Sequence, residues 1–129
     1  MHQPPEQESH WVVRGGVATP HQLQAGTGRH CGVPDPPGLY GFSVQYHPGK
    51  TIQELAAAGR FRNAHISVTT DAALIAAGVL VGYTVCIMQS PGAGYHHTMQ
   101  VPFPFSWDLA VALSAVFTQM PNLARVLDP

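Results

Sequence analysis

Three short segments of the chain carry its most reactive polar side chains, and each has the residue alternation of a β-strand. In the first, His10 and Arg14 share one face. In the second, Ser43 lies opposite the apolar face, and in the third, His96 and Thr98 point the same way. Imidazole, hydroxyl and guanidinium groups transfer protons and bind phosphates. One hypothesis is therefore that three polar strand faces line a single cleft.

The common catalytic signatures are missing from the sequence. Gly26-Thr27-Gly28 is not followed by the lysine of a phosphate-binding loop, no His-Glu-x-x-His occurs, and Ser43 lacks the second glycine of a nucleophile elbow. His96 and His97 are adjacent, so on a strand they point to opposite faces and cannot both bind one metal ion. The sequence therefore predicts no metal site.

The composition limits the class of partner. Charged residues make up 10% of the 129 residues, against about 25% in an average soluble domain. A surface with so little charge is typical of a protein that binds a partner. Six Lys and Arg residues against seven Asp and Glu leave no basic footprint for a phosphate backbone. Nucleic acid is therefore not expected as the main binding surface, although a nucleic-acid end held in a pocket stays open.

Length and patterning predict one folded domain in the cytoplasm. Residues 1–9 are expected to be a flexible polar N-terminus without the apolar core of a signal peptide, and residues 10–129 to form a single domain. The longest apolar segment, Trp107–Met120, is shorter than the roughly 20 residues that a membrane helix needs, so no membrane is expected. Cys31 and Cys86 match neither a disulfide framework nor a metal site.

Periodicity and capping residues predict an alternation of strands and helices that ends in a hairpin and a last helix. The Gly- and Pro-rich residues 27–38 are expected to be a loop. The expected fold class is α+β with a mixed, largely antiparallel sheet. Strands are predicted at residues 10–14, 39–45, 65–69, 79–88 and 95–101, and helices at 20–25, 51–58, 71–78 and 107–120.

Three pieces in order carry a resemblance to a known family: Val12-Val13-Arg14, Gly41-Phe42-Ser43-Val44, and His96-His97-Thr98 followed by Pro102 and a helix. In these pieces the chain resembles the toxin family whose founding members are cytotoxic type VI secretion effectors, related proteins being toxins of toxin-antitoxin pairs. That family has a fold similar to ADP-ribosyltransferases. The resemblance implies a toxic cytosolic enzyme that uses NAD on a protein or nucleic-acid target and is restrained by a cognate antitoxin or immunity protein.

The resemblance also implies roles for individual residues. Arg14 is expected to hold the ribose and pyrophosphate of NAD, and Ser43 the nicotinamide end. The expected catalytic residues are Arg14, Ser43, His96 and Thr98, and the expected cofactor-binding residues are His10, Arg14, Tyr40, Ser43, His97 and Gln100.

One departure from the family leaves alternatives open. Classical members place a Glu on a late strand, whereas the corresponding strand here offers His96, Thr98 and Gln100 but no acid. Either His96 substitutes as the base, or the chemistry has changed, or the fold binds without turnover. The alternatives are a non-catalytic binding protein on the same fold and an RNA-directed phosphotransferase or nuclease-like toxin.

Overall fold

The computed structural model describes residues 9–30, 40–90 and 94–125, and for residues 28–30 only the main chain. These residues form six strands and four helices. The strands are β1 (Trp11–Gly15), β2 (Gly41–Tyr46), β3 (His65–Thr70), β4 (Cys86–Gln89), β5 (His96–Gln100) and β6 (Thr118–Pro121), and the helices are α1 (Pro20–His30), α2 (Ile52–Gly59), α3 (Asp71–Leu80) and α4 (Trp107–Ala115).

The strands form one six-stranded sheet in the order β4-β5-β2-β1-β3-β6, and every neighbouring pair is antiparallel. The expected α+β class with a largely antiparallel sheet is confirmed. The expected hairpin of the last two predicted strands is also confirmed, because β4 pairs with β5. The order places β5, β2 and β1 side by side, so the three polar segments are direct neighbours.

Helices pack on both faces of the sheet. Val12 of β1 points to one face, where Leu23 of α1 is buried together with side chains of α3 and α4; we call it the three-helix face. Val13 points to the other, where Leu55 of α2 is buried; we call it the α2 face. Each fully buried Leu or Val stabilises the fold by roughly 1.5–3 kcal/mol through removal from water.

The predicted helix starts are confirmed by hydrogen bonds. The side chain of Thr19 accepts from the main chain at the start of α1, and Thr70 and Ser106 do the same for α3 and α4. Thr51 and Glu54 form a complete capping box at α2. Local sequence was sufficient here because a cap involves residues only three positions apart.

The predicted end of the first helix was wrong, because α1 passes through Gly26 and continues to His30. A Cβ at position 26 would lie 2.6 Å from a guanidinium nitrogen of Arg14. Gly26 therefore marks a close approach of an arginine rather than a helix stop. Of the predicted loop 27–38, residues 31–38 lie outside the described residues, as does Cys31.

The predicted strand at residues 79–88 was mostly wrong, because α3 extends to Leu80 and β4 spans Cys86–Gln89 alone. The carbonyl of Gly78 accepts from the main-chain N–H groups of Val81 and Tyr83, which closes the helix end. A Cβ on Gly78 would meet Tyr83 and Val85. The β-branched side chains of this segment favoured a strand, but its first residues are held in the tightly packed end of α3. Intrinsic strand propensity takes no account of such tertiary packing.

The predicted last helix at residues 107–120 was too long. The helix α4 ends at Ala115, and Thr118–Pro121 form β6 on the open edge of β3. The apolar composition of this segment is compatible with a helix or a strand. The edge of β3 supplies main-chain hydrogen bonds, and these favour the strand. No helix in the described ranges is both long and apolar enough to cross a membrane.

Candidate functional site

The sheet register separates the predicted site residues, so the single-cleft hypothesis was wrong. Val13 of β1 lies opposite Gln45 of β2, which puts the side chains of these two residues on the α2 face. Alternation then places Ser43 on the α2 face and Arg14 on the three-helix face. The expectation that Arg14, His10 and Ser43 share a face is corrected accordingly: His10 and Arg14 share one, and Ser43 faces away.

Arg14 lines a polar pocket at the end of β1, which we call the Arg14 pocket. Its volume is about 480 Å³, within the range of sites for small organic ligands. The start of α1 and the segment before β3 complete its wall. The pocket is lined by Arg14, Gly15, Gly16, Val17, Thr19, Gln22, Asn63, Ala64 and His65.

The guanidinium of Arg14 is fixed by the second strand and by α1. Its Nη1 donates to the main-chain oxygen of Ser43 at 2.8 Å, and its Nη2 donates to that of Gln22 at 3.4 Å. Its carbon Cζ lies 5.3 Å from the centre of the Phe42 ring, a cation–π distance. The side chain is therefore positioned before any ligand arrives, which lowers the entropic cost of binding.

Main chain rather than side chains forms the wall next to Arg14. A Cβ on Gly15 would overlap the Phe61 ring, and Gly16 has a φ of +78°, a conformation that favours glycine. The Ser67 hydroxyl donates to the carbonyl of Gly16 at 2.8 Å and accepts from the N–H of Ala18 at 3.0 Å. This buried hydroxyl holds the turn from β1 into α1.

The chemistry of the Arg14 pocket suits an anionic, oxygen-rich ligand. A guanidinium, an imidazole from His65 and an amide from Asn63 supply hydrogen-bond donors, and none of the described lining residues is a carboxylate. The first turn of α1 adds the positive end of a helix dipole. Sequence patterns missed Asn63 and His65, because no local signal relates the start of β3 to the end of β1.

The polar side chains of β2 and β5 form a second group, on the α2 face. The predicted alternation is confirmed: Ser43 pairs with Thr98, and Gln45 pairs with His96. Gln100 pairs with Gly41 and continues the same row. The hydroxyl of the fully buried Thr98 lies 2.8 Å from that of Ser90, so Thr98 contributes to internal hydrogen bonding. This row lies across the sheet from the Arg14 side chain.

A third group lies around Asp71, on the three-helix face at the end of β1 remote from Arg14. The Asp71 carboxylate accepts from the main-chain N–H of His10 at 3.0 Å and from the Tyr46 hydroxyl at 2.8 Å, and lies 3.2 Å from Nδ1 of His10. The Tyr46 ring contacts the ring of His97, whose Nδ1 lies 2.9 Å from the carbonyl of Tyr95. His10 and His97 are thus held away from the Arg14 pocket.

Opposing effects act on the ionisation of Asp71 and Tyr46. Burial acts to raise the pKa of Asp71, but the hydrogen bonds from His10, Tyr46 and Ala72 outweigh it and hold this pKa below its usual value. Burial, followed by the hydrogen bond to Asp71 and its negative charge, raises the pKa of Tyr46 to about 12. The pair is therefore a carboxylate and a neutral phenol at neutral pH.

Tyr40, an expected cofactor contact, is buried in the core. Its hydroxyl accepts from the main-chain N–H of Phe105 at 3.1 Å, and its ring meets that of Phe103 edge to face. Tyr40 does not line the Arg14 pocket. Of all the predicted site residues, Arg14 alone is among those that line it.

No group of three or more His, Cys, Asp and Glu side chains in the described part of the chain has the geometry to hold a metal ion. Comparison of the chain with protein-family models, with curated proteins and with solved structures finds no match. The site is therefore interpreted from its own geometry.

Proposed function

We propose that the protein is a small toxin with an ADP-ribosyltransferase-like fold that binds NAD in the Arg14 pocket, uses it against a cellular target in the cytoplasm, and is restrained by a cognate antitoxin or immunity protein. The observation that carries the proposal is the fixation of Arg14 by Phe42 and Ser43. These contacts join two of the three segments on which the family resemblance rests. The third segment lies on β5, the other neighbour of β2.

The pocket suits the phosphate end of NAD. A guanidinium matches two oxygens of a pyrophosphate with parallel hydrogen bonds, and Arg14 is already oriented. Gly15 leaves room for the Phe61 ring, and Gly16, with its φ of +78°, turns the main chain along the wall of the pocket. NAD would supply an ADP-ribosyl group through cleavage of its nicotinamide bond. Because His96 and Ser43 face away, His65 is the described side chain of the pocket suited to accept a proton.

A direct test measures NAD binding and nicotinamide release with purified protein. Titration calorimetry should give saturable binding to the wild type and none to Arg14→Ala, and chromatography should detect nicotinamide with the wild type alone. Expression of the wild type should stop growth, and Arg14→Ala should relieve the arrest. Gln119→Ala, on the exposed edge strand β6, is the matched control and should behave as the wild type. Undiminished toxicity of Arg14→Ala would overturn the proposed site.

A second function, binding without catalysis, is favoured by one observation. The described lining of the Arg14 pocket lacks a carboxylate to stabilise the positive charge that develops when a glycosidic bond breaks. A protein of this kind would act by forming a complex. The same experiment separates the two functions, because a binder without turnover gives a calorimetric signal with NAD and no nicotinamide.

A further inference from the structure

The loop between α2 and β3 concentrates positive charge beside the Arg14 pocket. Arg60 and Arg62 are exposed on it, and Arg125 joins them because its Nε donates to the carbonyl of Arg62 at 2.9 Å. The loop continues through Asn63 to His65, which line the pocket. Three of the six Lys and Arg residues therefore lie at this loop, and Arg14 lies in the pocket next to it.

The loop is held in place by a buried side chain. Asn122, 7% exposed, donates through Nδ2 to the carbonyls of Phe61 and Asn63 at 3.4 and 3.0 Å. Its main-chain N–H donates to the carbonyl of Ala64 at 2.9 Å. Asn122 thus fixes the main chain of this loop at Phe61, Asn63 and Ala64, so the loop presents a defined surface.

Arg60 occupies a main-chain conformation that favours glycine. Its φ is +52°, in the left-handed region, at the residue that ends α2. Glycine is the usual residue there, and another residue costs roughly 1 kcal/mol or more. Strained positions of this kind concentrate at functional sites. Arg60 therefore places a guanidinium at the exposed end of α2, next to Arg62 in the same loop.

The described acids lie elsewhere on the fold. Glu54 is in the first turn of α2, in the capping box and next to Lys50. Asp71 follows the far end of β3, and Asp108 is in the first turn of α4, where the Tyr83 hydroxyl donates to it. None of the three lines the Arg14 pocket. Arginine side chains therefore lie in the pocket and on the loop beside it, and the described lining of the pocket carries no carboxylate.

We infer that Arg60, Arg62 and Arg125 bind the phosphodiester backbone of a single-stranded nucleic acid whose end reaches the mouth of the Arg14 pocket, beside the NAD that the pocket is proposed to hold. Guanidinium groups match phosphate oxygens in pairs, and every cation at this end is an arginine. The exposed aromatic side chains Trp11, Phe103 and Trp107 lie on other segments. Binding through phosphates without base stacking is expected to depend on salt and little on sequence.

This inference deepens the proposed function, because it names nucleic acid as the target. It rests on that function for the modification of the bound strand with NAD. Binding of the strand is independent of NAD. The composition of the whole chain pointed away from nucleic acid because it averages over all residues, whereas Arg14, Arg60, Arg62 and Arg125, four of the six Lys and Arg residues, lie in the pocket or at this loop.

The test measures fluorescence anisotropy of labelled oligouridine and oligothymidine strands of about a dozen nucleotides, at salt concentrations from about 50 to 200 mM. The triple variant Arg60→Gly, Arg62→Gln, Arg125→Gln should bind at least about tenfold more weakly than the wild type, and its logarithmic salt slope should fall by about 2. Lys50→Gln, which removes a charge just before the start of α2, at the opposite end of the helix from Arg60, should bind as the wild type. A preference between the two strands identifies RNA or DNA as the natural form.

Three results would overturn the inference: no binding of either strand at about 50 mM salt, equal binding by the triple variant, or equally tight binding of a polyglutamate peptide of the same charge. The single variant Arg60→Gly is a control for misfolding, because glycine adopts the main-chain conformation of this position readily. Weaker binding by this variant therefore reports the loss of the Arg60 charge. NAD titration of the same wild-type preparation separates the two proposals. Strand binding without NAD binding overturns the proposed function alone, and NAD binding without strand binding overturns this inference alone.

Discussion

The main-chain oxygen of Ser43 accepts a 2.8 Å hydrogen bond from Nη1 of Arg14, although their side chains lie on opposite faces of the sheet. The two residues therefore belong to one site through the main chain and not through the Ser43 hydroxyl. This arrangement also explains how a charged side chain is kept on a face otherwise packed with helices, since its hydrogen bonds go to carbonyls of β2 and α1.

Substitutions at these two positions should have unlike effects. Arg14→Ala should abolish NAD binding and lower the free energy of unfolding by about 1–3 kcal/mol, because it removes hydrogen bonds made by a charged group. Ser43→Ala should leave NAD binding within about twofold, because the carbonyl that positions Arg14 is retained. Calorimetric titration and urea denaturation measure both effects. Loss of NAD binding in Ser43→Ala with normal stability would restore the hydroxyl to the site, as the family resemblance implies.

The separation of Arg14 from Ser43 shows which part of the site the sequence specifies. Alternation within a strand is local, and it correctly grouped His96 with Thr98 and Gly41 with Ser43. The relation between two strands depends on register, and a shift of one residue exchanges the faces. No pattern within β1 or β2 encodes that Val13 lies opposite Gln45.

The other contacts that the sequence did not predict join residues that are distant in the chain. Tyr46 and Asp71 meet across 25 positions, and Asn122 reaches back to Asn63 across 59. Asp71 had a sufficient local interpretation as the first residue of a predicted helix, and no sequence pattern singled out the other three. Caps and alternation are predictable because their partners are near in sequence, whereas a cluster assembled by the sheet order has no local signature.

Gly41 should tolerate no side chain. It lies against the main chain of Met99 on β5, which a Cβ would overlap. Gly41→Ala should therefore force β2 and β5 apart and lower the free energy of unfolding by about 2 kcal/mol or more. Gly49→Ala is a control with open space around it but a strained φ of +87°, and it should cost less. Denaturant titrations compare the two, and equal stability of Gly41→Ala and wild type would contradict the pairing.

Asp71 should make stability depend on acid pH. Its pKa is held below the usual value, so the folded state takes up this proton less readily than the unfolded state. The stabilisation is complete above the unfolded pKa, near 3.9, and is lost as pH falls through the lower folded pKa. Asp71→Asn should lose about 1–3 kcal/mol at neutral pH and converge with the wild type in strong acid. Urea denaturation across this pH range measures the difference, and a constant gap at every pH would contradict the assignment.

The Tyr46 hydroxyl should ionise at a higher pH than an ordinary tyrosine. Burial and Asp71 raise its pKa to about 12, so the folded state holds this proton more tightly than the unfolded state. Its contribution to stability is complete below the unfolded value, near 10, and is lost as pH rises through the folded value. An ultraviolet titration should show a phenol ionising near pH 12 that Tyr46→Phe removes. Asp71→Asn should move this step toward lower pH, and an unchanged step would contradict the contact.

Arg60→Gly should stabilise the protein, which is unusual for the loss of a side chain. The φ of +52° at this position is costly for arginine and accessible to glycine, while glycine gives back part of the gain through a more flexible unfolded chain. The net rise in the free energy of unfolding should be roughly 0.5–1 kcal/mol. Arg62→Gly, two residues along the same loop and without a positive φ, is the matched control and should lower stability. Urea denaturation of both variants measures the difference, and an Arg60→Gly variant no more stable than the wild type would contradict a strained main chain at Arg60.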